Sequence, residues 1–313
     1  MDSPGTAPLI AGEEVRKNFR NSIILVSILA LLILGVSCLI GMKMGNIEFG
    51  LLIGAAVVLI VLPIQVLTAK GAILLMTDGR AADPEDLQER RALHITEGLA
   101  VSAGLSRVPQ LYIIPSDVPN AFASGLSEKD AFIGVTSGLL EMMDDQELEG
   151  VIAHEFSHII HRDIMLNQLV VALISSLLIL ALILERAGLT SLSGGRRRGS
   201  GGGSGGGAFV IIMILLPLVV RPLATLLAHL LQMAISRQRE FAADAAAVRL
   251  CSYNEGLARA LEKLGGKKTL SKDEVNSLGG SNLAAMYISF PGEGLFSTHP
   301  PIEKRVERLR NMY

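Results

Sequence analysis

The chain has 313 residues, of which 50% are hydrophobic and only 19% charged, and its mean hydropathy is +0.46. Soluble domains carry about a quarter charged residues, so this composition argues against an ordinary soluble protein and for a membrane protein. A net charge of -2 leaves no basic excess to hold nucleic acid, and two cysteines as far apart as Cys38 and Cys251 exclude a disulfide framework.

Residues 1–22 read as a cytoplasmic N-terminal segment and 23–69 as a transmembrane hairpin. Its two apolar runs are Ile23 to Ile40 and Phe49 to Thr68, the second interrupted by Pro63. Each is close to the ~20 residues that cross a bilayer. The first lies too far from the start, and lacks the small-residue site, for a cleaved signal peptide, so it is read as retained. Arg16, Lys17 and Arg20 precede the hairpin and Lys70, Arg80, Arg90 and Arg91 follow it, with only Lys43 between the runs. By the positive-inside rule both ends are cytoplasmic.

Residues 70–163 form the next part of the chain, and from Asp83 its composition is soluble-like. "PEDLQERRALHITEGLAVSAGL" has helical periodicity, and "QLYIIP" and "AFIGVTSG" read as strands around a turn-rich connection. "DDQELEGVIAHEFSHIIHRD" reads as a helix capped by Asp144, with Glu147 three residues on as in a capping box. Residues 164–235 hold two more apolar runs, Ile164 to Leu184 and Phe209 to Ile235, joined by a Gly/Arg-rich loop over 185–207. They are expected to form a second hairpin. Two features oppose that: Arg196, Arg197 and Arg198 would lie outside, and Arg221 would meet lipid. The alternative is that these runs pack without spanning. Residues 236–313 are polar and mostly helical, ending in the amphipathic "PIEKRVERLRNM".

The helix in the middle carries the chemistry. His154 and His158 are four residues apart, which puts both imidazoles on one helical face, close enough to share one ion. Glu155 points to the side, where it can reach a water on the metal without being a ligand. This HExxH arrangement supplies two zinc ligands and a general base from one turn. The competing reading is a helix with satisfied polar residues. Its apolar flanks count against that reading, because three buried ionisable groups without a function are costly. A third ligand is sought in "SRQREFAADAAAV", where Glu240 and Asp244 share a face: Glu240 would bind the metal and Asp244 would orient a ligand histidine. The alternative is a surface carboxylate pair, but the surrounding alanines present a small surface suited to close packing. Asp163 is read as ending the helix or holding the site, and His161, His94 and His229 as structural.

"HEFSH", "SRQREFAADA", "NAFASG", "VTSGLL" and "STHPPIEKRVERL" occur in this order, and nearly the whole chain resembles the HtpX-like membrane metalloproteases, relatives of the CAAX prenyl proteases. The resemblance implies a mostly α fold with a small β-sheet, a zincin-like (gluzincin) domain plus transmembrane helices. It implies one zinc ion on His154, His158 and Glu240, with Glu155 catalytic and Asp244 behind a ligand. His299 and Arg305 would also be catalytic, facing the substrate and supporting the transition state, and Asn120, Ala121, Phe122 and Ala123 would line the cleft where an extended substrate lies along a strand edge. The domain would be split, with 70–163 and 236–313 on either side of the second hairpin. The expected function is a multi-pass zinc endopeptidase of the cell (inner or plasma) membrane, facing the cytoplasm. It would cleave damaged or misfolded membrane proteins or unfolded polypeptides. No G-x-x-x-x-G-K-[ST] stretch marks an ATP site. The alternatives are a specific processing protease of the CAAX type, or a non-catalytic membrane scaffold stabilised by zinc.

Overall fold

The computed structural model describes residues 45–165, 237–266 and 300–312, with residue 274 and scattered residues within 20–42 and 168–186. All but one residue of the expected N-terminal segment and of the 185–207 loop, most of the second apolar hairpin, His229 and His299 lie outside these residues. The chain divides into two compact units. One comprises residues 1–21, 69–168 and 232–313, and the other 22–68 and 169–231.

The second unit contains most of helix α1 (Ile47–Met76), the one helix among the described residues long and apolar enough to cross a membrane. Asn46 caps it by accepting from the Phe49 N–H at 2.9 Å. Ser37, in the first apolar run, and Gly41, just after it, lie against Gly50 of α1, and Ser37 also lies against Gly54. A Cβ on Gly50 would sit 2.4 Å from the Ser37 carbonyl oxygen and 2.6 Å from the Gly41 Cα. Small residues spaced four apart on both strands of the contact let the two backbones meet, as membrane helices do where no hydrophobic force separates protein from lipid.

Pro63 does not end α1. Proline has no N–H to give to the carbonyl four residues back, and the turn before it widens into a π segment (Val57–Val61), with the Leu62 N–H reaching the Val57 carbonyl. The helix then runs to Met76, past the end expected at Thr68. At about 1.5 Å per residue its length of 30 residues exceeds a hydrocarbon core of about 30 Å. Its last residues, from 69, belong to the first unit, where they have a soluble task. Ile73 packs with Ile114, Val118, Phe122 and Phe132 on one face of a sheet, and Lys70 lies 4.9 Å from the Tyr112 ring centre.

That sheet has four strands: β1 (Arg80–Ala81), β2 (Gln110–Ile114), β3 (Ala121–Ser124) and β4 (Phe132–Thr136), in the order β1-β2-β4-β3. β2 and β4 are parallel, while β1 and β3 run antiparallel at the edges. α2 (Leu87–Ser102) begins at Asp86, which accepts from the Gln88 and Glu89 N–H groups. α3 (Ser137–Met142) follows β4 directly and is capped by Thr136. α4 (Asp145–Ile160) has the capping box expected of Asp144 and Glu147. Lys263 adds an ion pair to the buried Glu147 at 2.6 Å. α5 (Arg237–Cys251), α6 (Glu255–Gly265) and α7 (Ile302–Arg310) complete the first unit.

The inner sheet face, through Ala121, Ala123, Ile133 and Val135, joins one core with Leu148, Val151, Ile152 and Phe156 of α4 and Leu257 and Leu261 of α6. α4 and α6 touch backbone to backbone. A Cβ on Gly150 would lie 2.6 Å from the Leu257 nitrogen, and one on Gly256 would lie 2.3 Å from the Gln146 carbonyl oxygen. Gly150→Ala should therefore lower stability by about 1–3 kcal/mol, overpacking outweighing the gain in helix propensity. Thermal unfolding of the full chain would show it, and an unchanged melting point would mean the two helices can part without cost. Both described cysteines are free, and burial pushes the Cys251 thiol up to about 12.

Candidate metal centre

α4 is buried along almost its whole length, and His154 and Glu155 are each at most 2% exposed. The 3.6-residue repeat sets His154 and His158 one above the other on the face turned to α5. α5 approaches because Ala243, Ala246 and Ala247 are buried and short. This brings Glu240, 6% exposed, to the two histidines, and a surface carboxylate pair is ruled out because Asp244 is also buried, at 1%.

One donor atom from each of His154, His158 and Glu240 lies within 4.8 Å of the others. His154 Nε2 is 3.2 Å from His158 Nε2, and Glu240 offers one oxygen to each, Oε2 at 3.6 Å from His154 Nε2 and Oε1 at 3.6 Å from His158 Nε2. Ligands 2.0–2.1 Å from one tetrahedral ion stand about 3.3 Å apart, and the 3.2 Å between the two Nε2 atoms is close to that separation. The hydrogen bonds behind the rings support the same conclusion. His154 Nδ1 is 3.0 Å from Asp244 Oδ1, and His158 Nδ1 is 3.2 Å from Asp163 Oδ2. A carboxylate only accepts, so each Nδ1 carries the hydrogen and each Nε2 offers its lone pair inward. Two lone pairs at that separation repel unless a proton or a cation lies between them. Imidazole and carboxylate donors with no thiolate suit zinc.

The electrostatics follow from burial and partners. Burial disfavours the charged form of His154, but hydrogen bonds to Asp244 and Glu240 outweigh it and raise the group to about 9. His158 is raised in the same way by Asp163 and Glu240 against burial. Burial also opposes ionisation of Asp244 and Asp163, yet Arg305 and His154 hold the first below the usual carboxylate range, and His158 and Arg239 the second. Glu155 goes the other way. Burial lifts its carboxyl above the usual range against the pull of His154 and His158, with the Ala123 N–H as hydrogen-bond donor.

Arg305 is completely buried. It forks onto Asp244, with Nε 2.9 Å from Oδ2 and Nη2 2.7 Å from Oδ1. Its Nη1 lies 3.8 Å from Glu240 Oε2, and Nη2 lies 3.4 Å from the His154 ring. Of the cleft segment, Asn120 is fully buried, and Ala121, Phe122 and Ala123 lie in edge strand β3, beside α4. Spacing did not single out Arg239, whose Nη1 donates to Asp163 Oδ1 at 3.0 Å. The signal it offered was its place next to Glu240.

A protease HtpX homolog of Dictyoglomus thermophilum is 36% identical over 309 residues, covering 97% of this chain and 96% of its own. One from Streptococcus pyogenes serotype M49 is 37% identical over 309 residues, covering 96% and 99%. The crystal structure of S. mikatae Ste24p matches with a TM-score of 0.48 at 16% identity, covering 95% of this chain and 66% of that one. The model of peptidase family M48 matches residues 86–313. The chain therefore belongs to peptidase family M48, a family of zinc metallopeptidases, and within it resembles the HtpX proteases along nearly its full length.

Proposed function

We propose that this membrane metalloprotease is a zinc endopeptidase that cleaves damaged or misfolded membrane proteins, and unfolded polypeptides, at their cytoplasmic segments without ATP. The observation that carries the reading is the cluster of His154, His158 and Glu240, with His154 and Glu240 buried, beside the buried carboxyl of Glu155, which is not part of the cluster. A zinc ion held by those three residues supplies a charge that polarises a peptide carbonyl and makes water acidic near neutral pH.

The remaining work falls to side chains. Glu155 takes the proton of the attacking water and delivers it to the leaving amine, and a carboxyl raised by burial suits both steps. Asp244 keeps His154 turned inward, and Arg305 holds Asp244. His299 is assigned to the substrate side on the resemblance. Substrate is proposed to lie along β3. The Thr136 N–H bonds the Asn120 carbonyl, and alternation along an antiparallel ladder then turns the peptide groups of Ala121 and Ala123 away from β4. An extended chain added at that edge would pass Glu155.

For topology, two hairpins (23–69 and 164–235) would return both parts of the protease, 70–163 and 236–313, to the cytoplasmic side. That places the centre where tails of membrane proteins emerge.

The test is cleavage of a destabilised membrane protein by the full chain in proteoliposomes. Cleavage should require one zinc per chain, stop on chelation, return with zinc and ignore ATP. Cleavage by the metal-stripped chain would sink the reading. A cysteine placed at Ser200 should react in intact cells with an impermeant reagent, and reaction only after lysis would reject the second hairpin.

A further inference from the structure

The two ligand histidines are supported in parallel. Behind His154 stands Asp244, and behind Asp244 stands Arg305. Behind His158 stands Asp163, and behind Asp163 stands Arg239. The second series draws on a different part of the chain. α4 ends at His161, and Arg162 adopts the left-handed region with φ 59°. That reverses the chain immediately after the helix, and the next residue, Asp163, points its carboxylate back at the helix it has just left. It is 4% exposed. Arg239 comes from the first turn of α5, beside Glu240 in sequence and 76 residues from Asp163.

We propose that Asp163 and Arg239 form a second positioning arm for the metal centre: Asp163 holds His158 through Nδ1, and Arg239 ties Asp163 to the helix that carries Glu240.

Each half has a physical consequence. The Nδ1–H···Oδ2 contact selects one tautomer of His158 and stops the ring turning, so that Nε2 remains the inward donor. The Arg239 bond to the other carboxylate oxygen adds a charge-assisted partner to a buried carboxylate. It also spans from the end of α4 to the start of α5. The separation between His158 and Glu240 is then set by an ion pair beside them, as well as by packing farther along the helices. Arg239 and Asp163 act through the ligands and are positioning residues. A purely architectural ion pair would have a different signature: it would change unfolding but leave the affinity of the folded protein for zinc unchanged.

The inference rests on the proposed zinc site, and the experiment separates the two. Full-length protein in detergent is stripped of metal. Zinc affinity is measured by chelator competition, and the absorption spectrum of the Co(II) form is recorded. Wild type should bind one zinc, and His158→Ala should lose it. If wild type binds none, the metal reading and this inference fall together. Asp163→Ala should bind zinc about 10–100-fold more weakly and shift the Co(II) bands, the size seen when such supporting residues are removed. Arg239→Ala should weaken binding less, and Arg239→Lys, which keeps the charge, should recover to within about threefold of wild type. In the Asp163→Ala background, Arg239→Ala should add nothing, because its partner is gone. Asp163→Asn serves if Asp163→Ala does not fold: its amide can still accept from Nδ1 but cannot also satisfy Arg239, so its loss should match that of Arg239→Ala. Arg310→Ala, which removes exposed ion pairs with Glu255 and Glu262, should leave zinc affinity unchanged. Wild-type zinc affinity in both Asp163→Asn and Arg239→Ala would overturn the inference while leaving the zinc site intact, as would a loss equal to that caused by Arg310→Ala.

Discussion

Replacing Glu155 by glutamine is expected to lower kcat by about a thousandfold or more while the chain keeps its full complement of zinc. Glutamine preserves shape and hydrogen-bonding capacity but takes no proton, so substrate binding, read as KM, should change little. Glu155 is 2% exposed, and burial holds its carboxyl above the usual range. A carboxyl raised in the folded state stabilises fully only below its unfolded value, and the advantage is lost as pH rises through the folded value. The glutamine variant should therefore match wild-type stability below about pH 4 and exceed it at neutral pH. That is the usual relation between a buried catalytic group and stability. Cleavage of a quenched peptide, zinc content and melting point across pH check the three parts. Residual activity within tenfold of wild type would remove Glu155 from the chemistry.

Arg305→Ala should destabilise the protein by about 3–5 kcal/mol. The guanidinium is 0% exposed and forked onto Asp244, itself 1% exposed. Its loss strands a buried carboxylate that, among the described residues, then faces only the His154 ring, which costs more than the intact pair contributes. Arg305→Lys should recover part of the loss, because an ammonium keeps the charge but cannot form the fork. Pairing Arg305→Met with Asp244→Leu should restore stability toward wild type, since removing both charges leaves none unpaired, yet zinc affinity should stay low because His154 has lost its acceptor. Denaturant unfolding and chelator competition on the same samples separate the two effects. A loss below about 1 kcal/mol for Arg305→Ala would show that water reaches Asp244 and that the pair behaves as a surface one.

Much of the local structure was written in short stretches. The capping box at Asp144, the apolar run of "QLYII" and the helical repeat of "LQERRALHITEGLAVS" each mark their element within a few residues. The HExxH pair belongs to the same class, since a helix alone puts His154 and His158 on one face. The β3 edge strand and the π segment were less legible. Four residues, "AFAS", carry little strand signal of their own and become a strand because β4 lies beside them. Pro63 reads as an interruption, and only the continuation through "AKGAILLM" onto the sheet shows that the helix absorbs it.

What the sequence determined by itself is therefore the local half of the centre: the helix, its caps, the two histidines and the adjacent base. Helical geometry leaves those four no other arrangement. Which carboxylates complete the centre was decided by tertiary structure. Glu240 and Asp244 meet the histidines because a run of alanines lets α5 approach α4. Arg305 arrives from a third helix, and Asp163 and Arg239 meet only after a left-handed turn at Arg162. Convergence of that kind depends on helix crossings between segments some eighty residues and more apart, and no local spacing encodes it.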